Sequence, residues 1–243
     1  MSGEKDLSMI NNEDFYILGM PIKTKIGDCH FLKVKDYPNY SIDLNIVSMT
    51  KLHFIHAYRK NDEDEEVLKH LESLSLLSII VNYLPDVFKS YERVFAHFFK
   101  DEDAIHNISS EEEFEEYRQL ILKLSCIKEE KINPNPEIQR AIERSQRVKS
   151  QQGGGITFST IVTSVSALGG KDYGSIREMT LFQLYMEFYR IAQKVNYETS
   201  VLFATVAEKV EIEDWAKKIS LFEEEKHGLT RSEFSKIAGT ISD

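Results

Sequence analysis

The stretch "REMTLFQLYMEFYRIAQK", residues 177–194, decides how the fold is read. Met179, Leu181, Phe182, Leu184, Tyr185, Met186, Phe188, Tyr189 and Ile191 leave one narrow polar stripe, Gln183, Glu187, Arg190 and Lys194, spaced by four, three and four. Those spacings are helical, and a helix apolar nearly all round has to be covered on more than one side. The part of the chain after residue 156 is too short to enclose such a helix with ease. Two covers stay open: neighbouring helices of this chain, or another protein. Phe182, Tyr185, Phe188 and Tyr189 are therefore candidate partner-binding residues. Trp215 and Phe222 share the ambiguity, since aromatic side chains serve both cores and interface anchors.

Upstream, "NPNPEIQRAIERSQRVKSQQGGG" changes character. Two prolines separate helices, Arg140, Arg144, Arg147 and Lys149 make a thin helix basic, and Gln151 to Gly155 reads as a flexible joint. This sets a domain of residues 1–150, a linker at 151–156 and a helical module at 157–243. The first domain opens strand-like from Phe15, with "PIKTKIGDCHFLKV" alternating about a turn at Gly27-Asp28. "YSIDLNIVSMTKLHFIHAYRK" reads as a strand followed by a helix. Helical periodicity then runs from Val67 to Val81, and Pro85 opens a helix carrying Val87, Tyr91, Phe95 and Phe98. Ser110 with Glu113 forms a capping box before Phe114, Tyr117 and Ile121.

Beyond the joint, "ITFSTIVTSVSALGG" fits a short helix or a strand. The aromatic helix is expected to be capped by Ser175 with Glu178, and "NYETS" to interrupt it between Asn196 and Thr199. Ile212, Trp215, Ile219 and Phe222 predict an amphipathic helix, and Thr230 with Glu233 a last short one. The fold class is thus α+β and predominantly helical: a small antiparallel hairpin, helices, then a separate all-α C-terminal module.

Composition narrows the function. At 243 residues the chain can bury a real core, and 42% hydrophobic with 29% charged residues is ordinary for a globular protein. A net charge of −10 argues against nucleic acid and anionic lipid as partners. Two cysteines without CxxC spacing fit a reducing compartment, and no signal peptide or membrane span is legible. His53 and His56 could share a helical face, but no further ligand stands at metal-binding spacing. Gly153 to Gly155 and Gly169-Gly170-Lys171 fit no phosphate-binding loop, and no GxSxG frames a nucleophile. Acidic runs such as Asp62 to Glu66 splay around a helix rather than converge. The expectation is a chain with no catalytic residues, no metal and no cofactor.

Three stretches resemble the tail assembly chaperones of tailed bacteriophages, in particular the long forms from contractile-tailed phages of Gram-positive hosts. "FYILGMPIKTKIGDCHFLKVKDYPNY" is similar to their β-rich beginning, "NPEIQRAIERSQRVKSQQGGG" to their middle helix and joint, and residues 169–206 with "IEDWAKKI" to their second half. The resemblance implies a non-enzymatic, late-expressed protein. It would keep the tape-measure protein soluble through its first part and recruit tail tube protein through its second. It implies residence in the cytoplasm of the infected bacterium and absence from the mature virion. It also implies programmed ribosomal frameshifting, for which the triple glycine is a candidate junction. Self-association stays open. A structural tail or baseplate component, and a host-side enzyme or regulator, are the alternatives.

Overall fold

The structure, a computed structural model, describes residues 12–59, 65–129 and 156–207, with 132–133, 135, 138–140, 142, 144–145, 210, 212–219 and 221 beside them. The joint expected at Gln151 to Gly155, Phe222 and the closing helix expected from Thr230 lie outside the described residues.

A helix, Asn12–Leu18 (α1), stands where strand alternation was expected to begin. Gly19 ends it in the left-handed region (φ +65), with Met20 N–H donating to the Phe15 carbonyl at 2.9 Å, so glycine lets the chain reverse into the hairpin. The hairpin pairs Ile22–Thr24 (β1) with Gly27–Cys29 (β2). Its register is Ile22 to Cys29, Lys23 to Asp28 and Thr24 to Gly27. The turn is therefore Lys25-Ile26, two residues before the Gly27-Asp28 expected. Gly27, at φ +131, is the first residue of the returning strand.

Tyr37–Ser48 (α2) stands where a strand was expected, and Lys51–Arg59 (α3) is the helix expected after it. Pro38 sits in the first turn of α2, where a missing N–H is harmless. The run from Val67 to Val81 divides into Glu65–Ser73 (α4) and Leu76–Tyr83 (α5). Ser75 divides it, because its Oγ accepts the Ser78 N–H at 3.1 Å and starts a new helix. Pro85–Phe99 (α6) opens on Pro85 as expected, and Glu111–Leu124 (α7) is capped by Ser110. The box at α7 is shifted by one: Glu113 accepts from the Ser109 N–H at 3.1 Å rather than from that of Ser110.

Phe158–Gly169 (α8) is a helix capped by Thr157, which resolves the helix-or-strand ambiguity. Tyr173–Glu178 (α9) is short and capped by Asp172. Leu181–Ala204 (α10) starts at a reciprocal capping box between Thr180 and Gln183, not at Ser175. It also runs straight through Asn196 and Thr199. Thr199 stays helical by donating its hydroxyl back to the Val195 carbonyl at 2.8 Å. Residues 212–219 are bends and a turn instead of the expected amphipathic helix. Asp214 accounts for this, its carboxylate accepting from Ala216 N–H and its carbonyl from Lys217 N–H.

One core runs through both parts of the chain. Tyr91, Phe95, Phe98, Phe114 and Ile121 meet Leu32, Leu44 and Val47 below, and Ile161, Val165, Leu181, Phe182 and Leu184 above. A smaller cluster joins Ile55, Leu68, Leu71 and Ile79. Residues 32–35 and 177–181 form a backbone seam between the two parts. Leu181 N–H donates to the Leu32 carbonyl and Val34 N–H to the Met179 carbonyl, both at 2.9 Å. Lys33 and Lys35 each reach the Glu178 carboxylate at 2.9 Å beside it. Arg118, wholly buried, fixes the end of α2 by donating to the carbonyls of Val47 (2.8 Å) and Met49 (3.0 Å) while pairing with Glu115 and Glu129.

Candidate protein-interaction surface

The first half of α10 is a core element. Phe182, 3% exposed, closes a triangle of edge-on rings with Tyr16 (5.5 Å) and Phe31 (6.4 Å). Tyr185 and Phe188 are half-buried against the same core, and burial pushes the Tyr185 hydroxyl up to about 12. Tyr189 is exposed, edge-on to Phe188. Of the ring set proposed from the sequence, Phe182 is therefore core rather than a partner contact. The reason is that α1 and Phe31, more than 140 residues away in sequence, supply its cover. Trp215 is exposed on the returning chain, and Phe222 lies outside the described residues.

The narrow polar stripe anchors neighbouring chain. Gln183 Nε2 donates to the Ile17 carbonyl at 2.8 Å, and Glu187 meets Lys171 at 3.5 Å. Arg190 Nη1 donates to the carbonyls of Trp215 (2.7 Å) and Lys217 (3.0 Å). These groups, with Ile17, Met179 and Met186, line an open groove of about 410 Å³.

The second half of α10 has a different character. Leu181, Leu184, Phe188 and Ile191 form the stripe that packs inward, and the same helical face continues as Val195 and Leu202, with Val206 in the turn that closes the helix. α8 covers that face only as far as Ile191, whose Cδ1 stands 3.3 Å from where a Cβ on Gly169 would lie. Gly170 then turns the chain away at φ +66. Beyond that level Leu202 is 73% exposed, Phe203 59% and Val206 82%, and Val195 and Val201 are exposed too. Lys194 and Glu198 are the charged side chains between residues 191 and 206, and they pair with each other at 3.7 Å. An apolar helix end ringed by so little charge is a candidate protein-binding surface. The sequence reading passed over it because "NYETS" looked like a break. The signal available was the seven-residue spacing Leu181, Phe188, Val195, Leu202.

Cys29 and Cys126 are free thiols, and burial pushes both up, Cys29 to about 12, which leaves them protonated at neutral pH. His53 Nδ1 accepts from the Thr50 N–H at 3.0 Å, a helix-start role. Among the described residues no group of three or more His, Cys, Asp or Glu could hold a metal, and no helix is long and apolar enough to cross a membrane. A second open groove, of about 540 Å³, lies between the hairpin and α7. There Lys25 pairs with Glu113 at 2.8 Å and Lys123 Nζ stands 5.0 Å over the Tyr16 ring.

Fold and surface define a mostly helical α+β chain with a shared core and one unclothed apolar helix end. Comparison with known proteins gives it a family. Residues 10–134 match the family model described as the YomV N-terminal domain, and residues 148–220 match that of the YomV second domain. The chain is 36% identical over 228 residues to the SPbeta prophage-derived uncharacterized protein YomV of Bacillus subtilis (strain 168), covering 93% of this chain and 96% of that one. It belongs to the YomV family, and the relationship makes it a phage-derived protein. No solved structure matches it.

Proposed function

We propose that the chain is a non-enzymatic tail assembly chaperone, which keeps the tape-measure protein soluble and brings tail tube subunits to it while tails are built. One observation carries the reading: the second half of α10 presents Val195, Val201, Leu202 and Phe203 to solvent, with Val206 exposed in the turn that follows, on a helix whose first half is locked into the core. A long apolar filament protein needs a partner that offers greasy contact without itself precipitating, and a chain of net charge −10 supplies the second condition. The prophage origin of the relative supports the setting. The partner residues are then Tyr189 and the outer residues of α10, with Trp215 beside them on the returning chain. Phe182 holds that helix to the body.

The test is co-expression with the tube and tape-measure proteins of the same phage. Wild-type chain should co-purify with at least one of them and hold it in the soluble fraction, and Leu202→Asp should not. Mass spectrometry of purified particles should find the chain absent. A stoichiometric amount in the particle would make it a structural tail component instead.

A further inference from the structure

We propose that the bare end of α10 is covered, before any client arrives, by the same helix of a second copy running antiparallel to it. The inference deepens the chaperone reading by naming what holds that surface at rest, but it is measured on the purified chain alone. Its ground is a mirror pattern in the stripe. Ile191, Val195, Leu202 and Val206 are placed symmetrically about the Glu198-Thr199 peptide bond, with four residues separating the members of each outer pair. Two such helices related by a twofold axis at that bond set Val195 against Leu202 of the other copy, and Ile191 against Val206 in the turn that closes α10, each contact occurring twice. This is the self-complementarity that a twofold interface requires.

Charge points to the same occupant. Copies of a chain with net charge −10 repel over most of their surface. Residues 191–206 carry no net charge, since Lys194 and Glu198 cancel and already pair on their own helix. The surface is also continuous with an apolar interface the fold already uses: the same stripe packs against α8 up to Ile191 and is exposed beyond it. The helical part of the shared length, residues 191–204, is about 20 Å at the usual rise. A contact that short belongs to the weak class, so the dimer should dissociate with a constant on the order of 10 µM, which leaves the surface available to a tighter-binding client.

Sedimentation velocity on the full chain should show the weight-average mass climbing from one chain towards two as concentration passes through that range. Leu202→Asp should stay monomeric with an unchanged far-ultraviolet circular dichroism spectrum. Cysteine pairing then reads the direction. A mixture of Val195→Cys and Leu202→Cys chains should form the mixed disulfide, and Val195→Cys alone should cross-link poorly. A chain monomeric throughout overturns the proposal, as does Val195→Cys cross-linking to itself more readily than to Leu202→Cys. Either result leaves the co-expression test of the chaperone reading untouched.

Discussion

The two halves of α10 carry one apolar stripe to opposite fates. Between Leu181 and Ile191 the apolar residues are claimed by α1, α8 and the core aromatics, and Thr180 and Gln183 cap the start. Between Val195 and Val206 the same stripe meets solvent. Hydrophobicity alone therefore does not separate core from interface along one helix. What separates them is where the neighbouring element stops, here α8 at Gly169. The inner half is a stability element; on the function proposed above the outer half is a binding element, and substitutions should divide accordingly.

The largest effect belongs to the inner half. Phe182→Ala removes a ring from the triangle with Tyr16 and Phe31, and should cost about 3–5 kcal/mol of unfolding free energy in a denaturant titration. A loss no larger than that of a surface substitution would mean that the ring is not enclosed. Thr180→Ala, which deletes the cap of α10, should cost about 1 kcal/mol.

A smaller, pH-dependent effect belongs to the seam beneath the helix. Hydrogen bonds from Lys33 and Lys35 hold the Glu178 carboxyl down, from an ordinary 4.5 to about 2. A carboxyl depressed in the folded state stabilises that state above its unfolded pKa and loses the contribution as pH falls through the folded one. Wild-type stability should thus drop as pH is lowered from about 4.5 to about 2, and Glu178→Gln should flatten this part of the profile. The group is exposed, so the change should be modest and should shrink with added salt. The smallest stability effect is expected in the outer half. At concentrations where the chain is monomeric, Leu202→Asp should leave the unfolding free energy within about 0.5 kcal/mol of wild type, because the side chain is then in water.

How much of this the sequence carried follows from the range of each interaction. Pro85 and Ser110 announced their helices correctly because a first-turn proline and a capping hydroxyl act within a few residues. The hairpin was legible too, although its turn fell at Lys25-Ile26. Thr180 was missed because Ser175 offers the same Ser-x-x-Glu spacing, and only the loop at Asp172 decides against it. The cover over Phe182 was not legible, since it depends on Tyr16 and Phe31 arriving from the other end of the chain. The bare outer stripe was half legible. Its seven-residue spacing was present, but a helix end without a neighbour is a fact about α8 and Gly170 rather than about α10 itself.

The central claim is that the outer half of α10 grips another polypeptide. Its most direct test is the solubility of the tape-measure protein, co-expressed with either the wild-type chain or Leu202→Asp, read as the fraction remaining in the supernatant. Wild-type chain should keep it soluble, and the equally stable variant should let it sediment. Equal protection by both would contradict the account.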